Sequence, residues 1–205
     1  MAEQLHTFLF ADISGYSRWT EVEGDEAAAE LALRFASEVS EIAAEHGAEV
    51  VKQVGDAVML RGEIAAEVVR IGLRLTGDSD RLPPIHAGIH TGVAIPRDGD
   101  WWGTTVNVAA RVAAAAAEGQ LLITEATKSA ARELGSARLK GLGVVHLKNI
   151  TSPVRVYSAS WPQLTPSLAA AQADRGRRNA ERDHQLALFE SERLPIGSLA
   201  FGGGT

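Results

Sequence analysis

The sequence predicts an α+β fold: a ferredoxin-like β-α-β-β-α-β core with added strands and helices. Three observations carry that expectation. Short apolar runs suited to strands alternate with longer segments of helical periodicity. Two early β-rich runs are separated only by Gly55-Asp56, so an antiparallel hairpin breaks any all-parallel arrangement. Two further β-rich runs close the pattern, which leaves the helices mainly on one face of the sheet.

The elements follow in order. Thr7 to Ile13 (TFLFADI) is a buried strand with an acid, Asp12, at its tip. From Asp25 the apolar residues Leu31, Phe35, Val39 and Ile42 recur at helical spacing; Asp25 and Glu26 favour the start, and Gly47 stands where the helix stops. Ala48 to Arg61 is the hairpin turning at Gly55-Asp56. Ile64 to Leu75 is a second helix, ended by Gly77 and the prolines 83 and 84. Ile85 to Thr91 is a strand that Val93 to Ile95 continue past Gly92. Thr104 to Glu118 is a helix stopped by Gly119, and Leu121 to Ile123 a strand. Thr124 caps a helix running to about Leu134, closed by Gly135. Arg138 to Val145 and Pro153 to Trp161 form the closing pair, with Gly141-Leu-Gly143 a turn in the strand region. The sequence shows no internal repeat.

Composition removes several classes of function. Of 205 residues, 45% are hydrophobic and 22% charged, an ordinary globular mixture. The net charge of −6 offers no global basic field for nucleic acid or an anionic membrane. An anionic substrate therefore needs metal ions or a local cluster of cations. There is no cysteine, hence no disulfide, thiolate nucleophile or cysteine-ligated zinc, which suits a reducing cytoplasm. No apolar stretch reaches membrane-spanning length, and the start lacks the pattern of a signal peptide. Without one, the Asn149-Ile150-Thr151 sequon reads as chance. Residues 162–205 hold five Arg and five acids and end in Gly202-Gly203-Gly204. They read as a partly helical or flexible tail, either a solvated extension or a docking segment.

Three features carry chemistry. Asp12 and Asp56 converge at one end of the sheet if their strands are central neighbours. Two such carboxylates repel, and one pKa rises unless a cation lies between them. Hard oxygen ligands without Cys suit Mg²⁺ or Mn²⁺, and two ions would serve both oxygens of a phosphoryl-type displacement. The plain alternative is turn chemistry, an Asp beside a Gly. Asn107 and Arg111 are four apart and share a helix face; the Arg could hold a phosphate through paired hydrogen bonds, or the face could simply be exposed. Lys52, four residues before Asp56 in an apolar strand, is either functional or an edge-strand lysine reaching to water. His86 and His90 face the same way with no evident third ligand. Trp101 and Trp102 line an interface, a purine pocket or ordinary packing.

Together, Phe10-Ala-Asp12-Ile-Ser-Gly15, Lys52-Gln-Val-Gly55-Asp56, Gly88-Ile-His-Thr-Gly92 and Gly103-Thr-Thr-Val-Asn107-Val-Ala-Ala-Arg111 resemble the class III nucleotidyl cyclase catalytic domain in order and rough spacing. The resemblance covers about residues 5–160, which makes 1–161 the catalytic domain and 162–205 a tail. It implies that Asp12 and Asp56, with the backbone carbonyl of Ile13, bind two metal ions, Mg²⁺ or Mn²⁺. It implies that Lys52 and Asp100 select adenine, and that Asn107 and Arg111 orient the ribose and stabilise the transition state. Lys148 falls near a phosphate-binding lysine. The implied activity is an adenylate cyclase, converting ATP to 3′,5′-cyclic AMP and pyrophosphate. The implied assembly is a homodimer with two composite sites, cytoplasmic, without nucleic acid or membrane partners. A catalytically silent nucleotide-binding module and a guanylate cyclase are the alternatives. Only seven residues, Val93 to Gly99, separate Gly92 from Asp100, where many relatives carry a longer arm.

Overall fold

The computed structural model describes residues 4–77, 79 and 81–162. Its strands are β1 (His6–Ile13), β2 (Glu49–Val54), β3 (Ala57–Gly62), β4 (Ile85–Gly92), β5 (Ile95–Arg97), β6 (Asp100–Trp102), β7 (Leu121–Thr124), β8 (Arg138–Val145) and β9 (Val154–Ser160). Its helices are α1 (Tyr16–Glu23), α2 (Asp25–Glu45), α3 (Ala65–Leu75), α4 (Thr104–Ala114) and α5 (Glu125–Ala130). Seven strands form one sheet in the order β2-β3-β1-β4-β7-β9-β8, and β5 and β6 form a separate hairpin. β4 and β7 run parallel, while the other neighbours in the sheet are antiparallel. The expected α+β architecture is present.

Alternation along β1 assigns the two faces of the sheet. Leu9, Ala11 and Ile13 join Leu31, Phe35, Val39 and Ile42 of α2 and Val68, Val69 and Ile71 of α3 in the main core. Each of these large side chains, once fully buried, contributes about 1.5–3 kcal/mol. Phe8 and Phe10 point the other way, toward Val106 and Ala109 of α4. Thus α2, α3 and α5 lie on one face and α4 alone on the other. That helix approaches β4 closely: a Cβ on Gly88 would stand 2.0 Å from the Ala113 nitrogen, so only glycine admits the contact.

Four expectations are corrected. The strand at 85 ends at Gly92; Val93 to Ile95 leave the sheet and open the β5–β6 hairpin. α4 ends at Ala114, not Glu118: the side chain of Gln120 accepts from the Ala117 N–H, and the chain turns there to lay β7 beside β4. α5 ends at Ala130, short of Leu134, although Thr124 caps the Thr127 N–H as expected. α1 had no counterpart, because none of its residues is buried and it shows no apolar stripe. The Gly141-Leu-Gly143 turn is a bulge in β8, inserted between two pairs with β9. Beyond Pro162, the tail lies outside the described residues.

Candidate active site

Asp12 sits near the end of β1, between Ala57 of β3 and His86 of β4. By alternation its side chain shares the α4 face with Phe8 and Phe10. Asp56 occupies the two-residue turn between β2 and β3, with Gly55 at φ 62° in the position that favours glycine. The two carboxylates meet as the spacing predicts. Burial and the adjoining Asp12 carboxyl push Asp56 up to about 6, against a smaller opposing pull from His86. Asp12 Oδ1 is buried without a hydrogen-bond partner, since two ionised carboxylates cannot donate to each other. A buried carboxylate oxygen lacking a donor, beside a second carboxylate, fits a cation. Among the described residues, no group of three or more His, Asp or Glu side chains gathers to hold one. The protein side-chain donors are therefore two acids.

His86 parts company with His90. Its Nε2 lies 3.6 Å from Asp12 Oδ2, and its Nδ1 3.2 Å from Ser14 Oγ. Burial lowers its pKa. His90 instead places Nδ1 2.8 Å from Thr124 Oγ1, away from the acids.

Lys52 reaches its site through an irregularity. The β2–β3 register shifts between Val50 and Lys52, so Val51 is an extra residue and Lys52 stands opposite Met59. Met59 belongs to the α4 face. β2 is an edge strand, yet Lys52 is paired: Nζ lies 2.5 Å from Asp100 Oδ2. Asp100 also accepts from the Trp101 N–H at 2.8 Å through Oδ1. These two bonds, Lys52 first, lower the Asp100 pKa and keep the carboxylate charged. The short arm that presents Asp100 is the β5–β6 hairpin. Asp98 and Gly99 both take positive φ, 53° and 76°, forming a two-residue turn. The Asp-Gly pair between Arg97 and Asp100 was the overlooked signal. Trp101 turns inward onto Phe8, while Trp102 is 58% exposed.

Asn107 and Arg111 project from the outer side of α4, both exposed. Among the described residues neither side chain has a hydrogen bond or ion pair within the chain, and nothing joins them to Asp12 or Asp56. Topology explains the separation. Thr105 approaches Gly92 and Ala113 approaches Gly88, so α4 runs antiparallel to β4 and places Asn107 toward the His6 end of β1. Lys148 is exposed in the β8–β9 connection. Its neighbours Leu147 and Ile150 pack with Val108 and Val112 of α4. The registers β1–β4, β4–β7 and β7–β9 put that connection at the His6 end too. One chain thus holds Asp12 and Asp56 at one end of the sheet and Asn107 and Lys148 toward the other, with Arg111 near mid-sheet.

A family model described as the adenylate and guanylate cyclase catalytic domain matches residues 3–158. The chain belongs to this family. It is 33% identical over 157 residues to a pH-sensitive adenylate cyclase of Mycobacterium tuberculosis, covering 74% of this chain and 39% of that protein. It is 32% identical over 117 residues to an adenylate cyclase of Streptomyces griseus, covering 56% of this chain and 29% of that protein. The crystal structure of the adenylyl cyclase CyaB from P. aeruginosa matches with a TM-score of 0.64 at 26% identity, over 76% of this chain and 93% of that one. The chain spans less than half the length of these two curated relatives. Among the described residues of this cyclase domain, no helix is long and apolar enough to cross a membrane.

Around the cyclase site, the residue-by-residue reading missed one group. Arg61, His6 and Trp101 form a stack beside the Lys52–Asp100 pair: the guanidinium carbon is 4.8 Å from the Trp101 ring centroid, and the His6 ring 4.4 Å. No spacing rule joins residues 6, 61 and 101, because three separate elements bring them together.

Proposed function

We propose that this domain is an adenylate cyclase acting on ATP as a homodimer with two composite sites. The observation that carries this reading is the Asp12–Asp56 pair, with one buried carboxylate oxygen left without a donor. Asp12, Asp56 and the Ile13 carbonyl would hold two Mg²⁺ or Mn²⁺ ions, which when bound lower the pKa of the ribose 3′ hydroxyl and grip the triphosphate. The 3′ oxygen bonds to the α-phosphorus, the bond to the pyrophosphate oxygen breaks in line, and the hydroxyl proton passes to solvent water. Both reacting atoms belong to one molecule, so the residues mainly fold the substrate and stabilise charge.

Adenine selection follows from the donor and acceptor order of the Lys52–Asp100 pair. Adenine presents an acceptor at N1 and a donor at N6; guanine presents the reverse at positions 1 and 6. With the purine held in one orientation, Lys52 donates to N1 and Asp100 accepts from N6. The relatives named adenylate cyclase support the same substrate. Asn107 orients the ribose, Arg111 meets the charge growing on the α-phosphate, and Lys148 holds the terminal phosphates. Asn107 and Lys148 lie toward the opposite end of the sheet from the metal acids and Arg111 on the exposed side of α4 near mid-sheet, unjoined to them, which supports a head-to-tail partner supplying all three.

The test measures cyclic nucleotide formed by the purified chain from ATP and from GTP separately, in Mg²⁺ and in Mn²⁺, with Asp56→Ala as control. Cyclic AMP that disappears in the variant is the expected result. Bound nucleotide with no product at high protein concentration would make the domain a silent nucleotide-binding module.

A further inference from the structure

We infer that Arg61 and Trp101 are positioning residues for purine selection: their stack pins the β5–β6 hairpin so that Asp100 meets Lys52. The inference rests on the reading of Lys52 and Asp100 as the purine pair.

The hairpin cannot hold itself. Each strand has three residues, and its three cross-strand pairs are too few for an independent hairpin. Of its outward residues, Ile95 is 65% and Trp102 58% exposed, so neither anchors it within the chain. Trp101 is the anchor. Its ring meets Phe8 edge-on at 5.7 Å, His6 at 4.4 Å and the Arg61 guanidinium at 4.8 Å. A guanidinium over an indole attracts through the ring quadrupole, more strongly where water is excluded. The Arg61 side chain is only 15% exposed.

Arg61 is itself fixed from several sides. Nε and Nη2 donate to His6 Nδ1 at 3.1 and 2.8 Å. Nη2 donates to Glu63 Oε1 at 2.8 Å, and Nη1 lies 3.7 Å from Glu49 Oε1. Those bonds leave the flat guanidinium face for the indole. The linkage to the purine pair is short, because Trp101 follows Asp100 and its N–H donates to Asp100 Oδ1 at 2.8 Å. An indole held in place sets the direction of the neighbouring carboxylate, whose second oxygen then faces Lys52. If the indole lifts, both bonds to Asp100 lengthen together.

The experiment uses the full chain with Arg61→Met, which keeps an apolar stem and removes the guanidinium. Carbon-13 NMR follows the titration of the Asp100 carboxyl, assigned by its loss in Asp100→Asn. The expected result is a rise in its titration point of roughly 0.5 pH unit or more, with the ATP-to-GTP ratio of kcat/KM falling about tenfold. An unchanged Asp100 titration overturns the inference, as does a loss that is equal for ATP and GTP while Asp100→Asn still shifts their ratio. Trp101→Leu approaches the same contact from the hairpin side and gives the same shift, which keeps the test decisive if Arg61→Met does not fold. Asp100→Asn separates the two readings: if it leaves the nucleotide ratio unchanged while Arg61→Met still moves the Asp100 titration, the purine assignment falls and the positioning stands.

Discussion

Lys52 and Asp100 meet as a 2.5 Å ion pair across 48 positions of sequence. Two local irregularities make the meeting possible. The extra residue Val51 sets Lys52 opposite Met59, on the α4 face. The two-residue turn at Asp98-Gly99 then folds Asp100 back toward the same face. The pair is part exposed, 40% and 26% for the two side chains, so it adds little to stability. Its value lies in presenting a donor and an acceptor in a set order.

Breaking that order changes selectivity more than folding. Asp100→Asn is expected to lower the preference for ATP over GTP by roughly 10- to 100-fold, as loss of a hydrogen-bonded discrimination does. Its melting temperature stays within a few degrees of wild type. Competition between the two nucleotides for turnover measures the ratio; an unchanged ratio would remove Asp100 from purine recognition.

The separation of Asp12 and Asp56 from the exposed Asn107 and Arg111 of the same chain predicts complementation. Asp12→Asn and Arg111→Ala are each inactive alone. Mixed in equal amounts they regain about a quarter of wild-type turnover, because half the dimers are mixed and each has one intact site. Cyclic AMP release against mixing ratio reads this directly. No recovery in a mixture shown to exchange subunits would refute the composite site.

The acidic pair predicts a pH effect of definite sign in metal-free protein. Asp56 is raised to about 6, so between its ordinary value and 6 the folded chain binds more protons than the unfolded one. Stability from this group is therefore present at low pH and lost as pH rises toward 6. Asp56→Asn removes that loss. Adding Mg²⁺ or Mn²⁺ at pH 8 raises the melting temperature of wild type, but not of Asp12→Asn. Thermal melts in chelator and in metal test both statements.

His90 predicts the opposite slope. Burial lowers it from 6.5 to about 4, while Thr124 Oγ1 stands 2.8 Å from its Nδ1. Between those values the unfolded chain binds the extra proton, so stability is lost as pH falls from about 6.5 to about 4. The lowering corresponds to ~3 kcal/mol. Urea unfolding across this range should show a shallower acid slope in His90→Gln; an identical slope would contradict the assignment.

The chemistry-bearing residues were legible because each sits beside a local signal. Asp12 closes an apolar strand, Asp56 follows a turn glycine, and Asn107 and Arg111 share a helix face. The β5–β6 hairpin was missed although Asp98-Gly99 marks it, because its arms are too short for a period-2 pattern. α1 was missed because none of its residues is fully buried and only Tyr16 packs on the core. Helix ends were overrun at Ala114 and Ala130, where alanine-rich or polar continuations carry helical propensity but the chain turns, with Ala116, Ala131 and Leu134 packing on the core from outside the helices.

The sequence by itself determined the α+β class, the antiparallel interruption at Gly55-Asp56, and the residues proposed to bind metal and phosphate. All of these are encoded in periodicity, turn residues and side-chain type. Tertiary structure alone decided three things. It brought Arg61 and His6 onto Trp101, left Asp12 Oδ1 without a donor, and put Asn107 and Lys148 toward the far end of the sheet. Each depends on strand order and register, which arise from contacts between distant segments and leave no mark in any single stretch of chain.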